Sequence, residues 1–208
     1  MSTKAGELQC PSDLKVSYLG IEGKFSDSLF STTIREHLTK LGVAEGDMRG
    51  RKRGSVASGG AQEDVGRAIE DVVTHNDWRA GTKKSVFVLG DEAIDGGDPF
   101  EQADIDAANT AIAVANAGDT RVHTYLAKVA AAKNKAEAKG QEANKAEFAR
   151  VASETGGQSY THEDTLDGGF QAMLESVICA SKAPAEPVED CACCKECMER
   201  KVPTVATP

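Results

Sequence analysis

The stretch Ser85-Val-Phe-Val-Leu-Gly-Asp-Glu-Ala-Ile-Asp-Gly-Gly97 decides the fold. Its first half is a continuous apolar run of strand length. Continuous rather than alternating apolarity predicts burial on both faces, as in a parallel sheet. Its second half sets Asp91, Glu92 and Asp95 at the mouth of that strand. In open α/β sheets ligands gather at the carboxyl ends of strands, so these acids are delivered to the functional edge.

Working outward, the flanking segments alternate in period. Residues 14–21 (LKVSYLGI) predict a strand, and Leu29 to Leu41 a helix with Phe30, Ile34 and Leu38 at helical spacing and Gly42 as its C-cap. The segment 44–60 has no periodicity and reads as a basic loop through Arg49, Arg51, Lys52 and Arg53. Gln62 to Thr74 predicts a helix striped by Val65, Ile69, Val72 and Val73, with Glu63 and Asp64 in its first turn and Trp78 packing where the chain turns back. A helix over 102–117, a strand over 122–126, a helix ending near Ser153, a short strand over 158–161 and a last helix over 166–179 complete the series. This order predicts a three-layer α/β fold, a mostly parallel sheet flanked by helices. Residues 1–180 form the expected domain and 181–208 a flexible linker with a cysteine-rich tail.

The chain has 208 residues and a formal net charge of -9, which excludes a general binder of nucleic acid. No apolar run approaches the ~20 residues of a membrane span, and the first residues carry no apolar signal core. A cytoplasmic location is expected, or an extracytoplasmic one if a signal was removed upstream. His37, His75 and His162 are scattered, and His123 within VHTYL reads as packed rather than catalytic. Neither a G-x-S-x-G elbow nor a P-loop nor a G-x-G-x-x-G fingerprint is present, so no enzyme is expected.

Three stretches, taken in order, carry a likeness to a known family: Ser58-Gly-Gly-Ala-Gln-Glu-Asp-Val-Gly-Arg-Ala-Ile69, Val86-Phe-Val-Leu-Gly-Asp91, and Phe148-Ala-Arg-Val-Ala-Ser-Glu-Thr-Gly-Gly-Gln-Ser-Tyr160. Over about residues 14–180 the chain resembles the von Willebrand factor A domain. The resemblance implies a Rossmann-like sheet, a non-enzymatic protein-binding role and a metal-ion-dependent adhesion site. At that site Asp91, Glu92 and Ser58 would hold Mg2+ or Mn2+. Gly59, Gly60, Gln62, Glu63, Asp95 and Asp98 would lie on partner-facing loops. A bound cation would take a carboxylate of the partner protein as a ligand; without it, recognition would be metal-independent. The family's Asp-x-Ser-x-Ser motif is missing, and Ala61 and Gln62 stand where a metal-contacting threonine is expected. The adhesion site is therefore expected to be degenerate or absent. LKVSYLGI aligns best with the family's second strand, so a longer product or a partner chain would supply the first. If Asp91 holds no metal, it is expected to hydrogen-bond the Gly59-Gly60 loop.

Four of the six cysteines cluster as Cys191-x-Cys193 and Cys194-x-x-Cys197. Such spacing suits Zn2+, disulfides or thiol exchange, or a tail with no fixed chemistry. A metal- or thiol-handling protein is thus the first alternative, and a metal-assisted hydrolase using Asp91 the second. Cys10 and Cys179 flank the domain, and the resemblance allows a disulfide between them.

Overall fold

The computed structural model describes residues 13–21, 29–52, 63–97, 99–164 and 169–182. Helix α1 (Ile34–Lys40) opens on a capping box: Thr33 Oγ1 accepts the Glu36 amide at 3.1 Å, and the Glu36 carboxylate accepts the Thr33 amide at 3.2 Å. It ends before Gly42, whose φ of +89° is the left-handed conformation a helix terminus needs. A single 3-10 turn, Glu45–Asp47, follows. Next come α2 (Val65–His75), β1 (Lys84–Gly90), α3 (Gln102–Ala117), β2 (Thr120–Leu126), α4 (Lys135–Glu154), β3 (Ser159–Thr161) and α5 (Gly169–Lys182).

The three strands form a parallel sheet in the order β1-β2-β3, with Val86 opposite Val122 and Tyr125 opposite Tyr160. Side-chain alternation divides its faces. Val88 of β1 and Val122 and Leu126 of β2 join a core with Val65, Ile69 and Val73 of α2, Ala108, Ala111, Ile112 and Ala115 of α3, and Phe148 and Val151 of α4. The small alanines of α3 let that helix approach closely. Ser85, Arg121 and His123 point the other way and bond α5. The described chain is thus α/β, with helices on both sides of a parallel sheet. None of its helices is long and apolar enough to cross a membrane.

Two hydroxyls fasten α4 to the sheet. Thr155 Oγ1 accepts the Val122 amide at 3.0 Å, and Thr124 Oγ1 donates to the Phe148 carbonyl at 3.1 Å. At the following turn, Gly157 passes directly over β2. A Cβ there would lie 1.9 Å from the Val122 carbonyl oxygen, so only glycine fits.

The segment 14–21 differs from its expected form. Among the described residues it makes one parallel bridge, Gly20 with Thr33, instead of a strand. Its first apolar side chains lie open, Leu14 41% exposed and Val16 54%, and only Leu19 and Ile21 pack partly buried against the core. Alternation alone makes no strand without a neighbour for its amides. Tyr18 instead packs edge-on against Phe30, with ring centroids 6.3 Å apart. That helix also starts later than the periodicity suggests, because its cap is Thr33. Glu63 and Asp64 precede α2 rather than occupying its first turn, Asp64 standing at its N-cap. Helix α5 runs to Lys182, across the expected domain boundary at 180.

Phe148, 1% exposed, is the largest fully buried side chain among the described residues. Phe148→Ala is expected to cost about 3–5 kcal/mol in denaturant unfolding. Gly157→Ala is expected to lower Tm by prising β3 from β2. A fully stable Gly157→Ala protein would contradict the close approach.

Candidate functional site

The carboxyl ends of β1, β2 and β3 define one edge of the sheet, and the acids predicted for it gather around β1. Asp91 follows Gly90 directly and is exposed. The Glu63 carboxylate lies over the strand end, its Oε2 3.8 Å from where a Cβ on Gly90 would sit. Glu63, Asp91 and Glu92 therefore share one small volume. Burial first, then the charges of Asp91 and Glu92, push the Glu63 carboxyl above the usual carboxylate range.

Glu92 is already engaged. Its Oε2 accepts the Glu63 amide at 3.0 Å and the Gly97 amide at 2.9 Å, tying the entry of α2 to the loop after β1. Asp95 is engaged as well, with one oxygen 2.6 Å from Arg51 and the other 3.2 Å from Arg67. Asp91 remains as the exposed acid of the edge, with the half-buried Glu63 carboxyl hydrogen-bonded to its side chain and backbone. Of the other expected positions, Ser58, Gly59, Gly60, Gln62 and Asp98 lie outside the described residues, as do Cys10, Cys191, Cys193, Cys194 and Cys197. The expected bond from Asp91 to the Gly59-Gly60 loop lies there too.

Three further acids nearby are structural, two of them (Asp71 and Asp104) without a role expected from the sequence. Asp71, 3% exposed, accepts the amides of Arg49 and Gly50 at 2.7 and 2.9 Å. Asp64, 1% exposed, accepts the Arg51 amide at 2.8 Å. Asp104, 3% exposed, accepts the amides of Asp95 and Glu101 at 2.8 Å each. A charged acceptor makes these bonds stronger than neutral ones. One signal was available in the sequence: Asp64 and Asp71 are seven residues apart, two turns along one face of α2.

Mg2+ takes about six oxygen ligands in near-octahedral array. Among the described residues no three His, Cys, Asp or Glu side chains are gathered to hold a metal ion. Asp91 and Glu63, with Glu92 and Asp95 already bonded, do not by themselves make a cage for Mg2+ or Mn2+. His162 follows β3 at the same edge and is exposed, while His123 is fully buried. Cys179, on α5, is disulfide-bonded. No protein-family model, curated protein or solved structure matches the chain.

Asp71→Ala strands two amides away from any acceptor. It is expected to cost about 2–4 kcal/mol in urea unfolding and to speed hydrogen exchange at Arg49 and Gly50. A loss below about 1 kcal/mol would contradict the anchoring role. Glu63 behaves oppositely. Its raised folded-state pKa means the native state favours the protonated form, so stability falls as pH rises through that pKa. Glu63→Gln is expected to stabilise the protein at pH 7 and leave it unchanged in acid, as read from Tm against pH.

Proposed function

We propose that the chain is a non-enzymatic protein-binding module of the von Willebrand factor A type with an incomplete metal-ion-dependent adhesion site. It meets its partner with the carboxyl edge of the sheet and takes a Lys- or Arg-bearing segment without metal. One observation carries this reading: Asp91 stands exposed beside a half-buried Glu63, while Glu92 and Asp95 are bonded internally. Two crowded carboxylates repel one another, and a partner's cation between them relieves that repulsion. The gain is larger than at an open surface because Glu63 is partly desolvated. The net charge of -9 steers a basic partner toward the chain. The position at the carboxyl end of a parallel strand also supports the reading.

The test is a panel of short peptides carrying one Lys or Arg, with uncharged counterparts, titrated against the full chain. Asp91→Asn is expected to weaken the best peptide about tenfold, roughly 1.4 kcal/mol. Asp119→Asn, at the amino end of β2, serves as the control and is expected to change nothing. Affinity should rise as pH rises and Glu63 ionises. Equal binding by the Asp91→Asn protein would reject the proposal. Tightening by added Mg2+ or Mn2+ would favour a cation-completed site instead.

A further inference from the structure

The face of the sheet away from the main core holds a buried polar chain that the edge does not use. His123 of β2 is 0% exposed. Its Nδ1 accepts the backbone amide of Gln158 at 3.0 Å, just before β3. Because Nδ1 is an acceptor, the ring proton sits on Nε2, which lies 3.0 Å from Ser181 Oγ of α5. Ser85 of β1 donates to the same Ser181 oxygen at 2.6 Å, and Ser181 donates to the Val177 carbonyl at 2.6 Å. A neutral imidazole therefore ties β2 and the entry to β3 to Ser181 of α5, and Ser85 ties β1 to the same hydroxyl.

The rest of the α5 attachment is polar in part. Arg121 donates to the Ala180 carbonyl, and Tyr160 donates to Ser176 at 3.0 Å. Among the described side chains of α5, Met173 and Val177 are buried and Leu174 and Ile178 partly buried. These hydrogen bonds add to the packing of Met173 and Val177 in holding α5.

We propose that His123 is an acid-sensitive latch: a proton on Nδ1 meets the Gln158 amide donor head-on, and β3 and α5 loosen from a sheet whose opposite face stays packed. The proton comes from solvent and forms the N–H bond at the Nδ1 lone pair. The Gln158 amide loses its acceptor and no covalent bond breaks. Burial, then the charge of Arg121, lowers the His123 pKa to about 4, against 6.5 for a free imidazole. The sign follows. The released ring binds a proton that the latched ring refuses, so the latch is intact above about pH 6.5 and weakens as pH falls toward about 4.

The other groups facing the ring leave this sign unchanged. Arg121 is the charged neighbour on β2 itself. Ser85 on β1, Gln158 before β3, Tyr160 in β3, and Ser176 and Ser181 on α5 bring hydroxyls and an amide there. Cys179, in a disulfide, does not titrate. Glu175 lies roughly 200° around α5 from Met173 and so faces away. Lys84 donates to Gly118. Glu147, Arg150 and Glu154 belong to α4, on the opposite face of the sheet.

Hydrogen exchange on the full chain between pH 7 and 5 tests the latch. Protection over 157–164 and 169–182 is expected to fall about tenfold per pH unit below 6.5, about thirtyfold by pH 5, while α2 and α3 keep theirs. His123→Gln is expected to abolish that step. The same step in His123→Gln, or simultaneous loss of protection in α2 and α3, would overturn the latch. Should His123→Gln fail to fold, the imidazole nitrogen shifts of the unaltered protein decide. Proton on Nε2 at pH 7.5 supports the latch, and proton on Nδ1 refutes it.

Discussion

Carboxylates that accept backbone amides set the shape of this protein's carboxyl edge. The segments around 49–51, 63, 95–97 and 101 have no strand or helix neighbour to take their N–H groups. Asp71, Asp64, Glu92 and Asp104 take them instead. A buried amide left without an acceptor costs about 1–3 kcal/mol, so each of these bonds fixes a loop that apolar packing alone would leave undefined. Arg51 and Arg67 then close the arrangement on Asp95.

That constraint separates the acids by task. An acid that already accepts two amides is poorly placed to serve a ligand, because releasing those amides carries the same cost. Asp91 and Glu63 accept no such pair of amides; their carboxyls bond and repel each other, and that repulsion is what a cationic partner would relieve. The edge is thus acidic for two unrelated reasons, one architectural and one proposed to be functional. The far face of the sheet follows a different rule. There α5 rests on hydroxyls, an imidazole and a guanidinium, and its attachment is correspondingly sensitive to protonation.

Much of the α/β order is legible because its determinants are local. The run Val86 to Leu89 and the stripe Val65, Ile69, Val73 announce a strand and a helix from neighbouring residues alone, and both formed where expected. The segment 14–21 misleads because its alternation lacks a partner strand among the described residues. The structural acids were illegible for a related reason. Asp71 meets Arg49 and Gly50 across about twenty residues of chain, and Asp104 meets Asp95 only after the loop has folded. Only the Glu101–Asp104 capping box lies within one short stretch. The burial of His123 was readable from its place in VHTYL, but its bond to Ser181, 58 residues away, was not.

The most direct measurement is residue-resolved amide exchange of the full chain at neutral pH. Arg49, Gly50, Arg51, Glu63, Asp95 and Gly97 lie outside every helix and strand. If buried carboxylates hold them, their amides exchange slowly, at rates approaching those of the adjoining α2. Exchange of the set at the rate of an unstructured chain would contradict the account.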